Sequence, residues 1–141
     1  MNEKPKGDDS LNMQFLSFSE RPFKGTELMM LYKNAGWWEE RNEQDIEEML
    51  KQNISIGTWI DDNLIGFARA ISDNKFRAYI EDVVIHNEFQ HTGIGTKLVS
   101  KLLDELTHID VISLFCGEDL ISFYEKNNFK FSKSQYVLHR K

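Results

Sequence analysis

The stretch Gln90-His91-Thr92-Gly93-Ile94-Gly95 combines residue types and spacing that imply a ligand. Before it, Tyr79–Ile85 is dominated by β-branched and apolar residues and reads as a strand. After it, Leu98, Val99, Leu102, Leu103 and Leu106 recur at three- and four-residue spacing, the pattern of one buried helical face. A strand, a glycine-bearing turn and a helix start together gather several backbone N–H groups at a positively polarised helix end. Such an arrangement receives anions, phosphates above all. Two phosphate-binding patterns are excluded. The Walker loop needs Gly, four residues and Gly-Lys-Ser/Thr, whereas here Lys97 follows Gly95 by two; the dinucleotide fingerprint needs a third Gly where Leu98 stands.

Other reactive side chains are few. Glu81 and Asp82 lie on the strand just ahead of the loop, and alternation sends them to opposite faces, so at most one reaches a cleft. Without a bulge, Glu81 shares its face with Val83 and Ile85. Cys116 closes the apolar strand Val111–Cys116, where a thiol is expected to be buried and inert, which argues against it as a covalent nucleophile. His86 and His91 stand five apart with no further ligand to complete a cluster, so no metal is expected. Trp37 and Trp38 are adjacent and do not share a helical face, which leaves one free to line a pocket, where its ring could meet a cation, against the alternative of core packing.

The elements that position these residues follow from local signals. Met13–Phe18 alternates as a first strand. Gly25–Ala35 carries Leu28, Leu31, Tyr32 and Ala35 on one side and stops at Gly36; Asn42 is an N-cap for a second helix through Lys51. Strands at Ser55–Asp61, Leu64–Ser72 and up to Ile85, joined by turns at Asp61-Asp62-Asn63 and Asp73-Asn74, predict an antiparallel meander. A helix from Gly95 to about His108 then crosses to Val111–Cys116, which predicts parallel pairing of the strands it connects. A short helix, Leu120–Asn127, and a last strand pair, Phe129–Phe131 and Gln135–His139, complete the chain.

Bulk properties bound the reading. The 141 residues suffice for one core, expected over 13–141, and the polar stretch 1–12 is expected to be a mobile tail. No run approaches the roughly 18 apolar residues of a membrane span, and no secretory signal is evident. A single cysteine fits a reducing, cytoplasmic setting. A net charge of −6 without a basic stripe argues against nucleic acid and mildly favours a cationic substrate.

Gln-x-x-Gly-x-Gly at Gln90–Gly95, opening a helix after a strand, resembles the acetyl-CoA-binding motif of the GNAT superfamily of N-acetyltransferases. Phe123-Tyr124-Glu125-Lys126-Asn127-Asn128-Phe129 is similar to that family's Phe-Tyr-x-x-x-Gly-Phe segment, with Asn128 in place of Gly, and Gly117 stands where many members carry an Asn. The resemblance covers roughly Met13–Lys141. It implies an α+β fold: a central mixed, mostly antiparallel sheet of six or seven strands flanked by about four helices. It further implies acetyl-CoA as co-substrate, Val83, Val84 and Ile85 offering backbone groups to its pantetheine, and Gln90, His91, Thr92, Gly93, Ile94, Gly95 and Thr96 wrapping its diphosphate. Tyr124 would then be the general acid at the sulfur and Glu81 the base, with Asp82 or water as alternatives. Trp37, Trp38 and Arg41 fall where the family's substrates enter, and Arg69 and Asp73 are further candidates for the border of that cleft. The implied activity is direct acetyl transfer to a primary amine of a small molecule. A protein lysine or N-terminus as acceptor, a non-catalytic acyl-CoA sensor, and a homodimer also stay open.

Overall fold

Turn chemistry and a single crossover set the sheet. In the computed structural model, which describes residues 12–141, β1 (Met13–Ser17), β2 (Ile54–Ile60), β3 (Asn63–Ser72) and β4 (Arg77–Ile85) pair antiparallel in chain order. The turns between them place Asp61 at φ 52° and Asn74 at φ 66°, left-handed values that these short polar residues accept. β5 (Val111–Leu114) joins β4 in parallel, because a helix carries the chain back over the sheet before β5 begins.

Helices cover both faces. On one, α1 (Gly25–Ala35) and α2 (Glu43–Gln52) bury Leu28, Leu31, Tyr32, Ile46 and Leu50 against Trp59 and Phe67. α1 ends at Gly36, φ 78°, and the Asn42 side chain caps α2 by accepting the Asp45 N–H at 2.8 Å. The two helices are tied where the Gly25 N–H donates to Glu47 Oε2 at 3.0 Å. On the other face α3 (Ile94–Asp104) sets Leu98 and Leu102, with Leu106 just beyond its end, on Ile56, Ala68, Ala70 and Ile80. Small alanines on β3 let the helix approach, and each fully buried leucine contributes about 1.5–3 kcal/mol.

The strand–helix–helix–meander–helix–strand order is as expected, and the α+β class holds, but the sheet has five strands rather than six or seven among the described residues. β5 ends at Leu114, short of Cys116, and α4 (Ile121–Glu125) is briefer than the expected Leu120–Asn127. The last strand pair is not formed: Phe129–Lys141 is irregular, with Phe131, Tyr136 and Leu138 exposed. The alternation in Gln135–His139 is real, but β-propensity acts only where cross-strand neighbours and a covered face receive the side chains. β5 is a short edge whose first residue, Val111, is itself exposed, and it offers little of either. The expected tail, 1–12, lies outside the described residues except for Asn12. Among the described residues no helix is long and apolar enough to cross a membrane.

Candidate active site

β4 outruns its neighbour. Its pairing with β5 covers Arg77–Ile80, yet β4 continues to Ile85. The backbone of Val83–Ile85 therefore has β3 on one side and, among the described residues, no strand on the other. A cleft of about 610 Å³ opens there, lined by Val83, Val84, Ile85, Gln90, His91, Gly93, Gly95 and Thr96 on one wall and Trp37, Phe123, Tyr124 and Lys126 on the other.

The loop at the cleft's end is braced by its own side chains. Gln90 Nε2 donates to the Ile85 carbonyl at 3.1 Å, Thr92 Oγ1 to the Phe89 carbonyl at 2.6 Å, and the Asn87 N–H to Asn34 Oδ1 on α1 at 2.8 Å. His91 and Gly93 take left-handed φ, 64° and 86°, which turn the chain into α3. The N–H groups of Ile94, Gly95 and Thr96 in the first turn have no acceptor among the described residues. Three adjacent unpaired donors on an eleven-residue helix fit a diphosphate.

Gly95 serves a different purpose from Gly93. Its φ is ordinary, but an added Cβ would lie 2.9 Å from the Phe123 ring, so the absence of a side chain lets α4 pack against the start of α3. Asn127 Nδ2 donates to the Thr96 carbonyl at 3.1 Å and locks the same junction, while Asn128, φ 69°, takes the left-handed turn that Asn tolerates in place of Gly. Tyr124 is thereby held in fixed relation to the loop that opens α3.

A second cavity, about 430 Å³, adjoins the cleft and shares Trp37, Val83, Leu120 and Tyr124 with it; Trp38, Glu81, Asp82, Phe115 and Cys116 line the remainder. Tyr124 is buried, yet its hydroxyl makes no hydrogen bond among the described residues. Burial, then the charges of Cys116 and Glu81, push its phenol up to about 12, so it stays protonated across any working pH.

The expected separation of Glu81 from Asp82 does not hold. Arg69 pairs with Glu81 and Phe67 with Val84, so Asp82 and Val83 together face Ala68 alone. This bulge, with Asp82 at φ 54°, shifts the alternation and brings both carboxylates to one cavity. Asp82 Oδ2 accepts from Tyr32 Oη at 2.8 Å, Arg69 Nε at 2.8 Å and Arg41 at 3.2 Å. Burial pushes this carboxyl upward, but the hydrogen bond and charge of Arg69, the Tyr32 hydroxyl and the charge of Arg41 outweigh it and leave the group below the usual carboxylate range. The same pairing, after burial itself, drives the Tyr32 phenol up. Arg69 also donates to Asn53 Oδ1 at 2.7 Å.

The remaining sequence expectations divide. The side chains of Thr92 and Ile94 do not line the cleft: Thr92 spends its hydroxyl on the loop, and the Ile94 side chain is buried with Ile60 and Ile65, leaving only its backbone N–H at the cleft's end. Asp73 is remote from both cavities, where its carboxylate accepts the Lys75, Phe76 and Arg77 N–H groups in the β3–β4 turn. Cys116 is exposed rather than buried, because β5 stops before it, and it lines the second cavity; partial desolvation and then the Asp119 charge push its thiol up. Phe115, Leu120 and Lys126 were not anticipated. Leu120 stands three and four residues before Phe123 and Tyr124, a helical spacing that could have revealed it. Phe115 lies in irregular chain and carried no such signal.

Residues 18–129 match the acetyltransferase (GNAT) family model. An uncharacterized N-acetyltransferase, ycf52, of Porphyra purpurea is 41% identical over 110 residues, 73% of this chain and 63% of that protein. GCN5-related N-acetyltransferase 2, chloroplastic, of Arabidopsis thaliana is 44% identical over 69 residues, 48% of this chain and 27% of its own length. The matched part of this chain thus spans less than two thirds of either relative. A GNAT-family acetyltransferase from Streptococcus pneumoniae TIGR4 superposes with a TM-score of 0.75 over 92% of this chain and 99% of its own at 18% identity, a likeness of fold.

Proposed function

The chain belongs to the GNAT acetyltransferase family, and on that premise we propose that it transfers an acetyl group from acetyl-CoA directly to a primary amine of a small molecule. The observation that carries this reading is the meeting of two cavities at Tyr124, one ending in unpaired helix amides and the other holding carboxylates and tryptophans. The amides of Ile94–Thr96 receive the diphosphate, and the unpaired side of Val83–Ile85 receives the pantetheine amides as a strand partner would. That path leads the thioester to the shared wall, and the amine enters from the second cavity.

The proton movements fall to this chain's own groups. The attacking ammonium gives a proton to Glu81, directly or through water, and its nitrogen then bonds to the acetyl carbon. As the C–S bond breaks, Tyr124 donates a hydrogen bond to the leaving sulfur, and the nitrogen's second proton passes through water to that thiolate. A phenol at about 12 is a weaker acid than ordinary tyrosine. Complete transfer to a thiolate whose conjugate acid lies near 8.5 is uphill by about 5 kcal/mol. Tyr124 therefore acts chiefly as a hydrogen-bond donor while sulfur gains charge. Cys116, whose thiol is pushed up, is a poor nucleophile, consistent with direct transfer rather than an acyl-enzyme.

Exposure of Trp38, Phe115 and Leu120 around the second cavity gives a lysine on a polypeptide a route to the same carboxylates, which supports a protein acceptor as the second reading. The acceptor, the cytoplasm or a plastid as compartment, and a homodimer all belong to this proposal rather than to the family assignment. The test is release of free CoA on incubation with acetyl-CoA and a panel of small primary amines and lysine peptides. Small amines are expected to turn over. Turnover of peptides alone favours the second reading, and calorimetric acetyl-CoA binding with no turnover of any amine favours a sensor.

A further inference from the structure

We propose that Arg41 is a positioning residue that holds the α1–α2 loop in place as the outer wall of the acceptor cavity, by bridging the Trp38 ring and the buried Asp82 carboxylate. The inference rests on the reading that this cavity receives the amine. The loop leaves α1 through two left-handed residues, Gly36 and Trp38, the latter at φ 56°. A left-handed conformation is unfavourable for a bulky residue and persists only where the surroundings impose it. The loop's own backbone bonds are local, from the Trp37 N–H to the Tyr32 carbonyl and from the Arg41 N–H to the Trp38 carbonyl. Among the described residues, Arg41 makes the only side-chain hydrogen bond or ion pair from residues 37–41 to the sheet.

Geometry makes that tether specific. The guanidinium carbon lies 3.9 Å from the centre of the Trp38 ring, and the same group reaches Asp82 Oδ2 at 3.2 Å. One flat cation thus stacks on an aromatic face and pairs with a carboxylate at its edge, a combination that a lysine ammonium does not reproduce. The anchor is rigid, because Tyr32 and Arg69 hold Asp82 independently. Arg69 is buried and Arg41 is partly exposed, with 9% and 28% of their side chains accessible. Loss of Arg41 therefore leaves the carboxylate compensated and the fold intact, while Trp38 loses what holds it over the cavity.

The test compares wild type with Arg41→Ala, Arg41→Lys and Trp38→Ala, using acetyl-CoA and whichever primary amine of the panel the wild type turns over fastest. Arg41→Ala is expected to raise the KM for the amine about tenfold and the KM for acetyl-CoA less than about twofold. Arg41→Lys should recover only part of the loss, and Arg41→Ala/Trp38→Ala should be no worse than the poorer single variant. In the ligand-free protein, acrylamide quenching of tryptophan fluorescence should increase in Arg41→Ala, since Trp59 is buried and Trp37 and Trp38 supply the accessible signal. An unchanged amine KM, an equal rise in both KM values, or unchanged quenching in a folded Arg41→Ala overturns the proposal. If wild type acetylates no amine, the functional reading fails instead, and the quenching result still decides the role of Arg41.

Discussion

The two cavities that meet at Tyr124 are built by opposite means. The larger cleft, proposed to take the nucleotide, is made of backbone: a strand edge left open beyond Ile80, two residues in left-handed turns, three unpaired amides, and a glycine that lets Phe123 come close. The second cavity, proposed to take the acceptor, is made of side chains that arrive from four separated segments and are fixed by one buried carboxylate with three donors. Backbone geometry is written locally, in glycine spacing and hydrophobic period. A side-chain constellation depends on long-range contacts that no short stretch of sequence announces. The first region should therefore bear changes of side chain and fail on changes of backbone room, and the second should behave the other way.

The largest expected effect breaks the second region alone. Asp82→Ala leaves the buried Arg69 guanidinium without its partner and is expected to cost about 3–5 kcal/mol of stability in urea denaturation. Under conditions where the variant is folded, calorimetry should still detect CoA. Loss of CoA binding by a folded Asp82→Ala would mean that the two regions are not separable. Next in size is the wall they share: Tyr124→Phe should lower kcat by about 10²-fold with both KM values near wild type. Because the phenol is pushed up to about 12, the wild-type kcat should show no decline from Tyr124 as pH rises to 10. Gly95→Ala, which adds one carbon 2.9 Å from Phe123, should weaken CoA binding about tenfold by shifting α4 from the loop. The smallest effect concerns acid. Asp82 sits below the usual carboxylate range, so its contribution to stability is present above pH about 4 and is lost as pH falls through its lower folded-state value. Asp82→Asn should accordingly flatten the fall of stability in that acidic window.

The same contrast explains what was legible in the sequence. The Gln90–Gly95 loop, the helix behind it and the antiparallel meander followed from spacing and turn residues, and the structure places Gln90, Gly93, Gly95 and Tyr124 along one cleft. The second role of Gly95, making room for Phe123, carries no local signal, since the residue it accommodates is twenty-eight positions away. Alternation, the only rule a lone strand offers, sends Glu81 and Asp82 to opposite faces; the bulge that unites them coincides with contacts of Asp82 to the distant Tyr32, Arg69 and Arg41. Cys116 and the Gln135–His139 segment were misplaced for a related reason. Their local apolar patterns required β5 to extend further and to be covered, and it does neither.

A crystal structure of the protein with CoA tests the central claim most directly. Diphosphate oxygens are expected within about 3 Å of the backbone nitrogens of Ile94, Gly95 and Thr96. The pantetheine is expected along Val83–Ile85 and the sulfur beside the Tyr124 hydroxyl. A diphosphate bound anywhere else, or a sulfur directed away from Tyr124, would contradict the claim.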